Sequence, residues 1–206
     1  NEGGYEERGY IGGVKQFYAD QSNGKFTVDF DVAYTFEAPQ GHAYYGGMYT
    51  SKRTELKELF TAAIKAAPDS IDWTKYDWDG DGKVDQVFFL YAGYGAASCT
   101  DYEQQKLYVW PHAGAISATK VAGGLTVSEY ACGNELMYDD DPAKAKDAGI
   151  GTICHEFCHC LGYPDVYDPD GKCNIDCMWF WDIMDEGFYG GDGFKPVAFN
   201  IYQRIS

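Results

Sequence analysis

The stretch HEFCHCLGYPD, residues 155–165, decides how the rest of this chain is read. A helix turns by about 100° per residue, so His155 and His159 fall on one face, one turn apart. Ile150, Ile153, Cys154, Phe157 and Leu161 gather within an arc of about 100° on the opposite side, the stripe of a helix that backs onto a core. Both imidazoles can therefore point at one ion. Glu156 is offset from them by about 80°, placed to reach a water on that ion rather than the ion itself. The bland alternative is a pair of histidines that share a solvated face by chance.

A working zinc site needs a third protein ligand. Gly162 follows the stripe where a left-handed residue can stop the helix, and Pro164 prevents its resumption. The next metal-binding side chain is Asp165, whereas His42 and His112 lie far away in sequence. Asp165 is favoured. Glu186, set among Gly187, Gly190 and Gly191, is the rival.

Outward from this helix the periodicities alternate. Residues 11–21 read as a short helix, and residues 25–34 alternate apolar and polar side chains like a half-buried strand. Leu56, Leu59, Phe60, Ala63, Ile64 and Ala67 form one stripe over residues 51–67, the clearest helix, suited to backing a sheet. VDQVFFLY, residues 84–91, predicts an apolar central strand, and residues 106–110 and 125–131 predict two more. Residues 195–205 predict a last helix with Pro196 in its first turn. Strands and helices mix without βαβ alternation, so the fold class is α+β, in a single domain over residues 1–206.

A second ion site is written between two of these elements. Asp77, Asp79, Asp81 and Asp85 occupy positions 1, 3, 5 and 9 of an EF-hand-like loop, with Gly82 at position 6 and the Lys83 carbonyl at position 7. Phe88 stands where the bidentate glutamate of position 12 belongs, so the loop is an incomplete EF-hand. The expected ion is calcium in a structural role. A solvated acidic turn is the alternative.

Composition narrows the function classes. The 206 residues carry 32 Asp and Glu against 16 Lys and Arg, a formal net charge of −16. That balance argues against nucleic acid and anionic membrane surfaces and suits a binder of hard cations. No apolar run approaches the roughly 18 residues of a transmembrane helix. Seven cysteines, three of them within residues 154–160, point to an extracellular or periplasmic setting, with at least one thiol left over by the odd count.

The words around the opening stretch resemble the immune inhibitor A family of secreted bacterial zinc metallopeptidases. GTICHEFCHCLGYPDVYD, the later WDIMDEG, the upstream YDWDGDGKVDQVFFLYAGYG and WPH at residues 110–112 run in that family's order and cover residues 14–202. The histidine motif also resembles the extended metzincin signature with aspartate in the last position. The resemblance implies a zincin or metzincin-like catalytic domain: a twisted mixed sheet with a backing helix and the active-site helix in an upper subdomain, residues 1–162. A smaller lower subdomain, residues 163–206, would lie below the cleft and carry the Met-turn at Met184. The whole is expected to be part of a longer protein from the bacterial cell surface or its surroundings.

The same resemblance implies zinc on His155, His159 and Asp165, and Glu156 as general base towards a zinc-bound water. Tyr189 is a candidate to hold the oxyanion. Protein or peptide substrates would bind extended along an edge strand, expected at residues 125–130. Cys158 could pair with Cys173 or Cys177 in a disulfide and is not expected to bind zinc; reduced, buried cysteines are the alternative. Two other classes compete with the endopeptidase: a catalytically inactive, calcium-stabilised binding or adhesion module on the same fold, and a closed structural zinc site that uses cysteine. The intact Glu156, with Asp165 and Met184, argues for the enzyme.

Overall fold

The computed structural model describes residues 12–47, 53–168 and 178–205. In chain order the helices and strands are α1 (Val14–Gln21), α2 (His42–Tyr45), α3 (Arg53–Lys65), β1 (Phe88–Tyr94), α4 (Tyr102–Gln105), β2 (His112–Lys120), β3 (Thr126–Met137), β4 (Lys146–Asp147), α5 (Gly151–Cys160) and α6 (Ile201–Ile205). The architecture is α+β with an open mixed sheet. The chain forms two compact units, Val32–Asp147 and Asn1–Asp31 with Ala148–Ser206.

The first of these units holds the sheet, in the order β1-β3-β2, with β4 appended to β3. β1 runs parallel to β3, pairing Phe88 with Ala131, while β2 and β4 run antiparallel to it. β3 is the central strand because its side chains find cover: Val127, Tyr130, Ala131 and Cys132 are all buried. The stripe predicted for α3 supplies that cover. Leu56, Phe60 and Ile64 join Tyr130 and Val127 in one core, and Phe60 stacks on Phe89 with ring centroids 4.1 Å apart. Apolar burial of this kind stabilises by about 25 cal/mol per Å².

Centre and edge are therefore exchanged relative to the sequence expectation. Residues 125–130 do not form a free edge: β2 pairs with β3 from Thr126, and on the other side Lys83 bridges Thr126 before β1 takes over at Ala131. VDQVFFLY instead supplies the outer strand: only Phe88 onward enters the ladder, and Leu90 faces solvent at 59% exposure. The run looked central because Val87, Phe89 and Tyr91 pack on the core while apolar Phe88 and Leu90 occupy the other face. Residues 106–110 form no strand. There the chain leaves α4 in a turn and makes a single bridge, Val109 to Gly47.

The second unit is built around α5. Residues 25–34, which cross from this unit into the other, form no strand despite their alternation. Their apolar side chains are divided, with Val28 buried, Phe30 edge-on to Phe157 at 5.3 Å, and Val32 at 95% exposure. An alternating pattern makes a strand only where a partner edge accepts its backbone. The last helix is shorter than expected and starts at Ile201. Residues 195–197 are held extended by hydrogen bonds from Lys195 N to Gly190 O and from Val197 N to Gly187 O, so Pro196 stands outside the helix. None of the helices among the described residues is long and apolar enough to cross a membrane.

Candidate metal centre

α5 follows the expected phase. Cys154, Phe157 and Cys158 share a buried cluster with Phe17, Tyr18, Ile183 and Met184. Tyr18 donates its hydroxyl to the Cys154 carbonyl at 2.7 Å, fixing the helix from its buried side. The helix ends as the glycine requires: Tyr163 N bonds Cys158 O at 3.1 Å and Gly162 N bonds His159 O at 2.9 Å, with Gly162 at φ +92°. This is a Schellman stop, whose left-handed residue is disfavoured for any side chain but glycine.

Two backbone carbonyls then orient the two imidazoles. His155 Nδ1 donates to Ile183 O at 2.7 Å, and His159 Nδ1 donates to Tyr163 O at 2.8 Å. A carbonyl only accepts, so each Nδ1 carries the proton and each neutral ring keeps its Nε2 lone pair for a metal. The rings meet edge to face with centroids 5.0 Å apart.

Asp165 arrives opposite both. Its Oδ1 lies 3.3 Å from His155 Nε2 and 3.2 Å from His159 Nε2. That oxygen is buried and takes no hydrogen bond of acceptable geometry. Three electron pairs thus converge on one point, which is repulsive unless a cation sits among them. The edges of a zinc tetrahedron with bonds of about 2.0–2.2 Å are about 3.3–3.6 Å, close to the spacing found. The donor set of two neutral imidazoles and one carboxylate fits zinc and leaves a fourth position open.

A proton is the competitor for this site. Burial opposes charge on His159, but the Asp165 and Glu156 carboxylates outweigh it and raise its pKa above the ordinary value. Burial likewise pushes Asp165 up, but the two imidazoles prevail and hold its carboxyl well below the usual carboxylate range.

Glu156 is buried, and one of its oxygens lies within 4.8 Å of ring nitrogens of both histidines. Met184 is completely buried, and its carbonyl accepts Val166 N at 3.1 Å, tying down the residue after Asp165. Tyr189 packs on Phe188 with centroids 4.0 Å apart, and burial, followed by the charges of Glu156 and Glu186, raises its hydroxyl pKa. Glu186 itself is exposed and is not grouped with the histidines.

The cysteine expectation fails where it can be followed. Cys158 is a free, fully buried thiol against Tyr18 Oη at 3.3 Å, not half of a disulfide. Cys173 and Cys177 lie outside the described residues. Sequence reasoning missed the carbonyls of Ile183 and Tyr163, which no residue type can signal. It also passed over Asp182, a fully buried carboxylate inside the WDIMD word.

In the other unit, Asp77, Asp79 and Asp85 bring carboxylate oxygens within 4.8 Å of one another. Gly80 and Gly82 make the turn at φ +76° and +86°, with Gly80 N and Gly82 N donating to Asp77. Asp81 does not join the three; it pairs with Lys83 Nζ at 2.5 Å.

The profile of the immune inhibitor A peptidase M6 catalytic domain matches residues 3–204. Immune inhibitor A of Bacillus thuringiensis subsp. alesti is 27% identical over 95% of this chain and 31% of its own length. Pre-pro-metalloprotease PrtV of Vibrio cholerae serotype O1 is 24% identical over 97% of this chain and 25% of its own length. The chain thus spans about a third or less of the curated relatives it matches.

Proposed function

We propose a zinc-dependent endopeptidase acting on protein substrates, and the premise is that this chain belongs to the immune inhibitor A peptidase M6 family, catalytic domain. What supports the reading most is Asp165 Oδ1, buried without a hydrogen bond between the Nε2 atoms of His155 and His159. These three residues would hold the zinc. When bound, zinc supplies a Lewis acid that acidifies a water and polarises a peptide carbonyl.

The chain's own residues do the rest. Glu156, buried beside the histidines, accepts the proton of the attacking water and returns it to the leaving amine. The carbonyls of Ile183 and Tyr163 hold both imidazoles in the tautomer that presents Nε2. Tyr189 keeps its hydroxyl proton at physiological pH and can donate it to a developing oxyanion. Met184 fills the floor beneath the ligand helix. The relatives' names, one of them a pre-pro-metalloprotease, support a secreted protein.

The loop of Asp77, Asp79, Asp81, Lys83 and Asp85 is proposed as a structural calcium site, with Asp81 released from Lys83 on binding. Calcium at about 100 times its dissociation constant would add about 2.7 kcal/mol. A melting temperature that calcium leaves unmoved refutes it.

The deciding experiment for the enzyme is protein digestion and zinc content of wild type and Glu156→Gln. Digestion lost with zinc retained supports the mechanism. Equal digestion by both proteins overturns it, and zinc-loaded wild type that cleaves nothing favours a binding module instead.

A further inference from the structure

The two histidines are held differently, and the difference lies in the peptide units behind them. The carbonyl that receives His155 Nδ1 belongs to Ile183, so the N–H of the same peptide unit is that of Met184. Met184 N donates to Asp182 Oδ1 at 2.8 Å. A continuous chain therefore runs from the Asp182 carboxylate through one peptide group to the His155 ring. On the His159 side the receiving carbonyl belongs to Tyr163, and the next residue is Pro164, whose nitrogen carries no hydrogen. No such chain can be built there.

Asp182 is charged by its surroundings. It is completely buried, and its carboxylate faces three donors: Met184 N, Gln203 Nε2 at 2.9 Å and Asn200 Nδ2. The amide orientations are fixed independently. Gln203 Oε1 accepts Asn200 N, and Asn200 Oδ1 accepts Tyr202 N and Gln203 N, so both amide nitrogens must turn to Asp182. A carboxylate surrounded only by donors is satisfied as the anion.

We infer that Asp182 is a positioning residue that strengthens His155 as a zinc ligand through the Ile183–Met184 peptide. Hydrogen bonds in a chain polarise one another, more so in a low-dielectric interior. The anion draws the Met184 N–H, which enriches the Ile183 oxygen and tightens its hold on His155 Nδ1–H. Electron density at His155 Nε2 rises in consequence. Carboxylate–histidine–zinc arrangements do the same by direct contact, and losing the outer partner typically weakens metal binding about 10–100-fold. Here one peptide unit is interposed, and only one of the two histidines benefits.

The inference rests on the zinc reading above, and its test separates the two. Zinc affinity is measured by competition with a chromophoric chelator, and the two ring Nδ1–H protons are followed by NMR, for wild type, Asp182→Asn and Gln203→Leu. Asp182→Asn keeps an acceptor and removes the charge; about tenfold weaker zinc binding is expected. The His155 ring proton moves upfield and the His159 ring proton stays. Gln203→Leu removes a competing donor from Asp182 Oδ1, so the His155 proton moves downfield even though the protein melts earlier. A purely structural role would move both ring protons together, or neither, and would give the two variants the same sign; any of these results overturns the relay. If Asp182→Asn does not fold, the direction of the Gln203→Leu shift decides alone. A wild-type protein that takes up no zinc fails the site reading instead, and the ring protons of the metal-free protein still decide the relay.

Discussion

A Cβ built on Gly151 would stand 1.9 Å from the carbonyl oxygen of Phe188. The first turn of α5 therefore lies directly on the backbone of residues 186–189, and Gly193 O closes the same seam by accepting Ile150 N and Gly151 N. Phe188 in turn packs against the His155 ring with centroids 4.5 Å apart. Gly151→Ala must separate backbone from backbone, with no flexible side chain to give way. Overpacking of this kind costs about 1–3 kcal/mol or more. The expected outcome is a clear fall in melting temperature together with weaker zinc binding, because Phe188 leaves the His155 ring. Calorimetry and zinc competition on the variant check both.

Asp165 and Glu186 are separable as the third ligand. Asp165→Ala is expected to weaken zinc binding more than about 100-fold, beyond the range for outer-shell partners. Glu186→Ala is expected to leave it unchanged, since that side chain is exposed and apart from the histidines. Metal content after gel filtration in dilute chelator distinguishes them. Zinc retained by the Asp165 variant and lost by the Glu186 variant would reverse the assignment.

How much of this was legible depends on the range over which each feature is determined. The phase of α5, the Gly162 stop and the return of Asp165 towards both imidazoles are fixed within eleven residues and were legible there. The stripe of α3 was equally local. Strand order is not: residues 25–34 have the alternation of a strand and no partner edge, and residues 125–130 open a strand that is central only because β2 covers one side of it and Lys83 and then β1 meet the other. For Cys158 the clustering of cysteines suggested a disulfide, and of the two readings the reduced, buried thiol is the one found, in contact with Tyr18. The carbonyls that hold the imidazoles belong to Ile183 and Tyr163, whose side chains carry no trace of that duty.

The buried thiols should be inert in the native protein. Burial raises Cys154 well above its ordinary value and pushes Cys158 up to about 12. Cys99 is pushed up to about 11 by burial and then by Asp101. The thiolate is the reactive form, so little of it exists at pH 8 in any of the three. Half-buried Cys160 should be alkylated first among the cysteines at the described positions. Cys99, Cys154 and Cys158 should follow only in denaturant. Mass spectrometry of timed alkylation checks the order, and early modification of Cys158 would refute it.

Protons and zinc should act on this protein in opposite directions along the pH scale. In the metal-free protein Asp165 has a lowered pKa, so its contribution to stability is present above the unfolded value of about 3.9 and is lost as pH falls below it. His159 has a raised pKa, so its contribution is present below the unfolded value of about 6.5 and is lost as pH rises through the folded value. Both are present together only between about pH 4 and 6.5. Zinc needs the His159 Nε2 lone pair that a proton occupies in that window, so its affinity climbs as His159 deprotonates. Melting curves in chelator should therefore show the contribution of this pair declining from about pH 6 to 8, while the stabilisation added by zinc grows over the same interval. The difference between the two series isolates the site from every other titrating group. A zinc increment that shrinks as pH rises from 6 to 8 would mean that protons at His159 do not compete with the metal, and the geometry around Asp165 Oδ1 would need another explanation.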